Sequence, residues 1–285
     1  MSVQLLAVGD NVVDRYPDLG VMYPGGNAVN VAVHARRCGA VAGYVGALGT
    51  DLAGRCVLDA LAAEGVDTSL VRVVDGPNAY AEVRVIDGNR VFGTGNVGVS
   101  RFRLAPDDLE RAASVDVVHT GECSMIEDQL GELSAAAPML SFDFSERPWE
   151  YVEKYAGHAR IAIRSLPGSA LAQATDEARR LRALGPEVVA VTLGASGAVV
   201  VRGDDVVHAP AADVAVVDTL GAGDAFIARL LVGLAAAEPL AVVVPAATAY
   251  ASTTCTSFGA FGYATAVTQG NAPLDPIQHG GVDRR

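Results

Sequence analysis

The chain has 285 residues, of which 51% are hydrophobic and 19% charged, and its formal net charge at pH 7 is −12. The length and composition predict a soluble globular protein with a sizeable core. The negative charge argues against nucleic-acid binding through a general basic surface, yet it permits a small anionic ligand in a locally positive pocket. The four cysteines form no C-x-x-C pair. Because the N-terminus also lacks a basic region, we expect a cytoplasmic protein with reduced thiols, no secretory signal and no membrane span.

Short apolar runs alternate with helical stretches along most of the chain. This alternation is typical of an α/β fold with a mainly parallel sheet sandwiched by helices. The apolar region at 230–250 is predicted to form two buried helical pieces, interrupted at Glu238-Pro239 and again at Pro245. The predicted strands are 5–8, 44–48, 115–118, 140–142, 160–163, 188–192 and 214–217, and the predicted helices include 27–37, 53–64 and 225–234.

Two segments depart from this alternation. Residues 79–86 (AYAEVRVI) alternate between apolar and polar side chains and lead through Asp-Gly-Asn into a second short run, a pattern that predicts an antiparallel hairpin. Residues 12–22 are also predicted to be extended. We therefore expect a single domain over 1–265, with a small antiparallel lid from about 12–22 and 79–96. Residues 271–285 have little to bury and are predicted to be a disordered tail.

The stretch DTLGAGDAF (218–226) predicts a glycine turn at the start of a helix. Glycines at 221 and 223 allow a sharp turn and expose backbone N–H groups, which together with the helix dipole form a site for an anion. Asp224 would be electrostatically unfavourable beside that anion unless it takes a proton from an attacking hydroxyl. The alternative is a plain glycine turn with a helix-capping aspartate.

The stretch PGGNAVN (24–30) also places two glycines before a helix. Asn27 and Asn30 are three residues apart, so their amide groups share one face and can donate and accept hydrogen bonds toward a polyol. Asp14, at the entrance to the lid, can accept two sugar hydroxyls. The alternative for Asp14 is a solvated turn carboxylate.

Two further glycine-containing stretches carry weaker signals. TLGASG (192–197) follows a predicted strand, where α/β folds hold nucleotides, but it also fits a simple turn into a hairpin. GTGNVG (93–98) matches a dinucleotide fingerprint, yet no apolar helix follows it and the preceding strand belongs to the hairpin, so we reject that assignment. The sequence has no Walker A motif, and its five histidines are scattered. Metal-centred and triad chemistry therefore have no support.

Taken together, GGNAVN, TLGASG and DTLGAGDAF resemble, in order and spacing, the ribokinase-like (PfkB) family of sugar and nucleoside kinases, from about residue 3 to 263. Within that family the chain is similar to fructoselysine 6-kinases in GDNVVDRYPDL, GGNAVNVAV, DGNRVFG and SFDFSE. The resemblance implies a ribokinase-like fold with a β-sheet lid. It also implies ATP-dependent phosphorylation of the primary hydroxyl of a ketose or a ketose-amine.

The resemblance also implies roles for individual residues. Asp224 would be the general base, and the backbone amides of Gly221, Ala222 and Gly223 would stabilise the transferring phosphoryl group. The residues implied to hold the sugar are Asp14, Gly26, Asn27 and Asn30, with Asp10 and Arg90 as further candidates. The residues implied to line the ATP site are Thr192, Gly194 and Gly197, with Arg147 directed at the phosphate end of the cleft. The alternative for Arg147 is a surface ion pair with Glu146 or Glu150.

The implied cofactors are ATP and Mg²⁺, and the resemblance leaves open a monovalent cation. The implied partners are a small-molecule sugar or sugar-amine and a second copy of the chain, joined through the lid. One feature departs from the family: its N-x-x-E motif, which organises Mg²⁺ through water, is replaced here by PGSAL at 167–171. We assign no metal ligands. The alternatives to a sugar kinase are thus a catalytically weak, sugar-binding regulatory member of the same fold and a nucleoside kinase.

Overall fold

The computed structural model describes residues 2–86 and 89–267, without the side chains of residues 85, 86, 89, 90 and 92. The predicted tail at 271–285 therefore lies outside the described residues. Fifteen strands are found within the described part of the chain: β1 Gln4–Val8, β2 Val12–Tyr16, β3 Val21–Gly25, β4 Val41–Val45, β5 Ala47–Gly49, β6 Arg72–Val74, β7 Tyr80–Ile86, β8 Asn89–Asn96, β9 Val117–Gly121, β10 Leu140–Asp143, β11 Ile161–Ser165, β12 Val188–Thr192, β13 Ala198–Arg202, β14 Asp205–Ala209 and β15 Thr265–Ala266.

Eight of these strands form the central sheet, in the order β14-β13-β12-β11-β10-β9-β1-β4. The six strands from β12 to β4 are parallel, and the hairpin of β13 and β14 adds two antiparallel strands at one edge. The parallel strands are almost fully buried, as expected when both faces of a sheet are covered. The structure therefore has the predicted α/β architecture.

Helices cover both faces of this sheet and build one apolar cluster on each face. The first cluster packs α1, α2, α7 and α8 against one face, and the second packs α3, α4, α5 and α6 against the other. The helices are α1 Asn27–Arg37, α2 Leu52–Ala63, α3 Pro106–Ala113, α4 Leu130–Ala136, α5 Trp149–Tyr155, α6 Leu171–Arg182, α7 Ala222–Ala235 and α8 Leu240–Thr254. Among the helices of the described residues, none combines the length and the apolar character that a bilayer crossing requires.

A separate five-stranded sheet, in the order β15-β3-β2-β7-β8, forms the lid. Its neighbouring strands are antiparallel except for β2 and β7, which run parallel because the chain passes through the α/β body between them. The strands extend the predicted lid segments to residue 25 and add β15 near the end of the described chain.

Two predicted elements are wrong. Residues 214–217 form no strand, and the valines at 216 and 217 are 55% and 37% exposed. The segment is held instead by the N–H groups of Val217 and Asp218, which donate to the carbonyl of Cys255. Pro245 does not divide the second apolar helix, because α8 continues through it. The break at Glu238-Pro239 is confirmed, since α8 begins directly after Pro239.

Candidate active site

The N-terminus of α7 forms an uncapped helix start within the glycine loop, defined here as residues 218–223. Gly221 is the N-cap residue, with φ of 74° and no side-chain hydrogen bond to the first turn. A Cβ on Gly221 would lie 2.4 Å from the Cβ of Ala260, whereas a Cβ on Gly223 would meet nothing within 4 Å. The helix start at Gly223 is therefore open, and the N–H of Ala222 donates to the carbonyl of Thr219. An open helix N-terminus is the arrangement that binds anions. Asp224 lies in the first turn of the helix, whereas Gly221 occupies the N-cap position.

The carboxylate of Asp224 is held by the two predicted asparagines of α1. Asn27 Nδ2 donates to Asp224 Oδ1 at 2.8 Å, and Asn30 Nδ2 donates to Asp224 Oδ2 at 2.6 Å. Asn27 and Asn30 precede Asp224 by 197 and 194 residues in the chain, and the packing of α1 against α7 brings the three side chains together. Asn30 Oδ1 is buried and accepts no hydrogen bond from the described residues. The same amide groups can thus orient the carboxylate and offer an acceptor to a ligand.

One acidic candidate, Asp10, and the predicted Gly26 lie at the start of α1. Asp10 follows β1, and its carboxylate accepts hydrogen bonds from the backbone N–H of Asn27 at 2.9 Å and of Ala28 at 3.3 Å. Burial raises the pKa of Asp10, and these backbone donors oppose that shift. Gly26 has φ of 108°, and a Cβ there would lie 2.7 Å from the Cα of Asn11, so only glycine fits comfortably. Asp10 therefore anchors the N-terminus of α1.

Asp14 lies on the lid strand β2 and is only 3% exposed. A Cβ on Gly25 of the neighbouring strand would lie 2.4 Å from Asp14 Oδ2, so glycine makes room for this carboxylate. The alternative of a solvated turn carboxylate is wrong, because the residue belongs to a strand and is buried.

Sequence reasoning missed Asp143, which ends β10. Its Oδ2 accepts from Asn27 Nδ2 at 3.0 Å, so one amide nitrogen serves both Asp143 and Asp224. Burial raises the pKa of Asp143 to about 7, and the nearby charges of Asp224, Glu122 and Asp10 act in the same direction. A usable signal was present, because SFDFSE places this aspartate at the carboxyl end of a predicted parallel strand, where such folds bind ligands.

His119 of β9 was also missed. It is fully buried, and burial lowers its pKa to about 3, so the ring is neutral. Its Nε2 lies 3.0 Å from Asn27 Oδ1, and its Nδ1 lies 3.1 Å from Ser141 Oγ. Since the amide nitrogen of Asn27 faces two carboxylates, its Oδ1 faces the ring, and Nε2 is the donor. No local sequence signal distinguishes this histidine from the others.

Arg147 and Glu122 form an ion pair at the rim of this acidic group. Arg147 Nε donates to Glu122 Oε2 at 2.8 Å, and the guanidinium packs over the ring of Tyr151. The partner is thus neither Glu146 nor Glu150, so the proposed alternative pairing is wrong. Glu122 follows β9 and reaches Arg147 because β9 and β10 are neighbours in the sheet.

The predicted nucleotide side is built from backbone turns. Thr192 ends β12, and residues 194–196 form one short 3₁₀ turn between Gly194 and Gly197, which have φ of 61° and 87°. A Cβ on Gly197 would lie 2.0 Å from the carbonyl oxygen of Ala209. The hairpin of β13 and β14 follows, so the simple-turn explanation of TLGASG is confirmed while its contact with ATP stays a prediction. The side chain of Arg90 lies outside the described residues.

The segment that replaces N-x-x-E lies beside this turn. Gly168 has φ of 77°, and a Cβ there would meet nothing within 4 Å. Leu171 is the first residue of α6 and is 42% exposed. Within residues 2–86 and 89–267, no group of three or more His, Cys, Asp or Glu side chains is arranged to hold a metal ion.

Comparison with known proteins gives a consistent result. The family model described as "pfkB family carbohydrate kinase" matches residues 8–264. The chain is 37% identical over 267 residues to the fructosamine kinase FrlD of Bacillus subtilis, which covers 92% of this chain and 94% of the relative. It is 36% identical over 265 residues to the fructoselysine 6-kinase of Escherichia coli K12, which covers 90% of this chain and 99% of the relative.

Solved structures show the same fold. A ribokinase from Arabidopsis thaliana, complexed with ribose and ATP, superposes with a TM-score of 0.80 at 22% identity, over 92% of this chain and 95% of that one. An aminoimidazole riboside kinase from Salmonella enterica, complexed with its riboside and an ATP analogue, superposes with a TM-score of 0.73 at 26% identity, over 90% of this chain and 95% of that one. The fold described above is therefore ribokinase-like.

Proposed function

Because the chain belongs to the pfkB family of carbohydrate kinases, we propose that it transfers the terminal phosphoryl group of ATP to the primary hydroxyl of a ketose-amine of the fructoselysine type. The observation that carries this proposal is the Asp224 carboxylate, held by two asparagine amides at an uncapped helix N-terminus. A base and an anion site thereby lie within one helical turn, as phosphoryl transfer to an alcohol requires.

In the proposed reaction, Asp224 accepts the proton of the sugar hydroxyl as its oxygen bonds to the terminal phosphorus. The bond from that phosphorus to the bridging oxygen of ATP breaks, and ADP leaves. The backbone amides of Gly221, Ala222 and Gly223 would stabilise the charge of the transferring group without reorganising, with the N–H of Ala222 shared with the carbonyl of Thr219. Asn27 and Asn30 keep the carboxylate in place, which preserves the alignment of hydroxyl and phosphorus.

The proposed cofactors are ATP and Mg²⁺. The open space at Gly223 and the uncapped first turn of α7 fit an anionic phosphate chain. Thr192, Gly194, Gly197 and Arg147 remain our candidates for further ATP contacts. Mg²⁺ would neutralise charge on the phosphates, and we assign it to the triphosphate and water because the described residues offer no group of three ligands.

Two observations support a ketose-amine over a neutral sugar. The relatives named above act, by their names, on fructosamine and fructoselysine, and they match at 36–37% identity. In addition, Asp10, Glu122 and Asp143 place three carboxyl groups at one end of the site, of which Glu122 is paired with Arg147. A protonated amine on the substrate would add a charge interaction with these carboxyl groups, whereas a neutral sugar would gain only hydrogen bonds from them.

An ADP-release assay on fructoselysine, fructose and adenosine tests the proposal. We expect the largest kcat/KM with fructoselysine, and a preference for either of the other two would overturn the substrate assignment. The replaced N-x-x-E segment favours one second candidate, a sugar-binding protein with little turnover. That candidate predicts calorimetric binding of fructoselysine without ADP release. The same assay with potassium replaced by a bulky organic cation tests for a monovalent cation.

We also propose that the protein forms a homodimer through its lid. Leu19 and Val91 are large apolar lid residues that are 48% and 45% exposed, and a second lid would cover them. Sedimentation of the wild-type chain and of Val91→Glu tests this: a dimer that dissociates in the variant is the expected result. A wild-type monomer would contradict the proposal.

A further inference from the structure

The lid strand β2 carries two buried side chains on the same face, because alternate residues of a strand point to the same side. Asp14 is the proposed sugar acceptor, and Tyr16, two residues later, is 2% exposed. The Tyr16 hydroxyl donates to Asp218 Oδ2 at 2.5 Å, across 202 residues of sequence. The strand that presents Asp14 is thus bonded directly to the first residue of the glycine loop.

Asp218 holds that loop in shape. It is 2% exposed, and its Oδ1 accepts from the backbone N–H of Leu220 at 2.9 Å. Its Oδ2 also accepts from the backbone N–H of Gly259 at 3.1 Å. The next residue, Ala260, packs against Gly221 so closely that a Cβ on Gly221 would clash with it. Through these contacts Asp218 fixes the position of the N-cap of α7.

We propose that Tyr16 is a positioning residue that couples the sugar-binding lid strand to the phosphoryl-binding glycine loop by means of its hydrogen bond to Asp218. This inference rests on the function proposed above. Tyr16 acts through Asp218, so its hydroxyl governs how the sugar and the phosphate chain are aligned with each other. The competing explanation is that Tyr16 only fills the aromatic cluster it forms with Tyr23 and Phe258.

The substitution Tyr16→Phe separates the two explanations, because it keeps the ring and removes only the hydroxyl. We expect kcat to fall by about tenfold, since a hydrogen bond to a charged group is lost. We expect the affinity for the non-hydrolysable analogue adenylyl imidodiphosphate to be unchanged without sugar. Saturating sugar should tighten analogue binding in the wild type and have less effect in the variant.

Tyr23→Phe is the matched control, since it removes a hydroxyl from the same cluster but not the one bonded to Asp218. Kinetics and sugar-dependent analogue binding that are the same in both variants would overturn the proposal. Thermal unfolding of both variants shows whether Tyr16→Phe still folds.

Asp218→Asn provides a second, independent test through a double-mutant cycle. If Tyr16 acts through Asp218, the losses in kcat of the two single variants should not add in the double variant. Fully additive losses would contradict the proposal. The wild-type enzyme alone decides whether fructoselysine is the substrate, and the variants are compared on the panel sugar that the wild type phosphorylates best. Failure of the substrate assignment and failure of the Tyr16 proposal are therefore distinguishable.

Discussion

The predicted sugar side and the predicted nucleotide side of the site are built in different ways. On the predicted sugar side, partly buried side chains bind one another, and Asn27 by itself contacts Asp143, Asp224 and His119. On the predicted nucleotide side, the 3₁₀ turn between Gly194 and Gly197 provides the shape through backbone groups. A side-chain network can distinguish one polyol from another, whereas backbone N–H groups suit a phosphate chain that is common to many enzymes.

The largest effect should come from the base at the border of the two sides. Replacing Asp224 with Asn should lower kcat by about 10²–10⁴-fold, because general-base catalysis is lost while the polar contacts with the asparagines are partly kept. ADP release with fructoselysine measures this, and thermal unfolding confirms the fold. Turnover within a few-fold of the wild type would show that Asp224 is not the base.

Asp14 tests whether the two sides bind independently. Asp14→Ala should weaken sugar binding by about 10- to 100-fold, because hydrogen bonds to a charged acceptor are lost. Binding of ATP in the absence of sugar should change little. Calorimetry with fructoselysine and with adenylyl imidodiphosphate measures both affinities, and an unchanged affinity for the sugar would remove Asp14 from the site.

The pH dependence of stability tests the environment of Asp143. Burial raises its pKa to about 7, so the folded state holds the proton more tightly than the unfolded chain, in which the pKa is about 3.9. The resulting stabilisation is fully present below about pH 4 and is lost as the pH rises through about 7. Asp143→Asn should therefore flatten the decline in the free energy of unfolding across this window.

Urea unfolding of the wild type and Asp143→Asn at pH 5 and pH 8 measures this difference. Asp128→Asn is the control, because the Asp128 side chain is 62% exposed and its carboxylate is not buried in either state. If the free energy of unfolding changed equally between pH 5 and pH 8 in the wild type and in Asp143→Asn, Asp143 would be charged throughout this range.

The smallest effect is expected on the nucleotide side, where the N-x-x-E motif is replaced. We predict that activity keeps rising with Mg²⁺ after ATP is fully complexed, since one carboxylate fewer is available to organise the metal. Restoring the motif with Gly168→Asn and Leu171→Glu should lower this requirement a few-fold by the same argument. Because Leu171 is 42% exposed, the new carboxylate does not have to be buried.

Magnesium titrations of the wild type and the double variant decide this prediction. Saturation of the wild type at stoichiometric Mg²⁺–ATP, with no gain in the variant, would show that other groups organise the metal.

Local sequence patterns predicted much of the fold and part of the candidate site. The glycine turn before α7 and the paired asparagines of α1 were recognisable because their function depends on spacing within one helical turn. Asp143 and His119 were missed because their roles come from contacts between strands and helices that are far apart in sequence. The strand predicted at 214–217 failed for a related reason: its valines suit a strand, but the chain there binds the end of α8 instead of a sheet edge.

The distance in sequence between Asn27 and Asp224 has a consequence for biogenesis. These residues are 197 positions apart, so the ribosome completes the asparagines long before it delivers the carboxylate they hold. Contacts of such long range are slow to form, and large chains often reach them through partly folded intermediates. An N-terminal fragment would expose the amides of α1 without their acceptor. With the role proposed for Asp224, catalytic competence arises only after α1 and α7 have docked, and its appearance during refolding should trail the recovery of helical content.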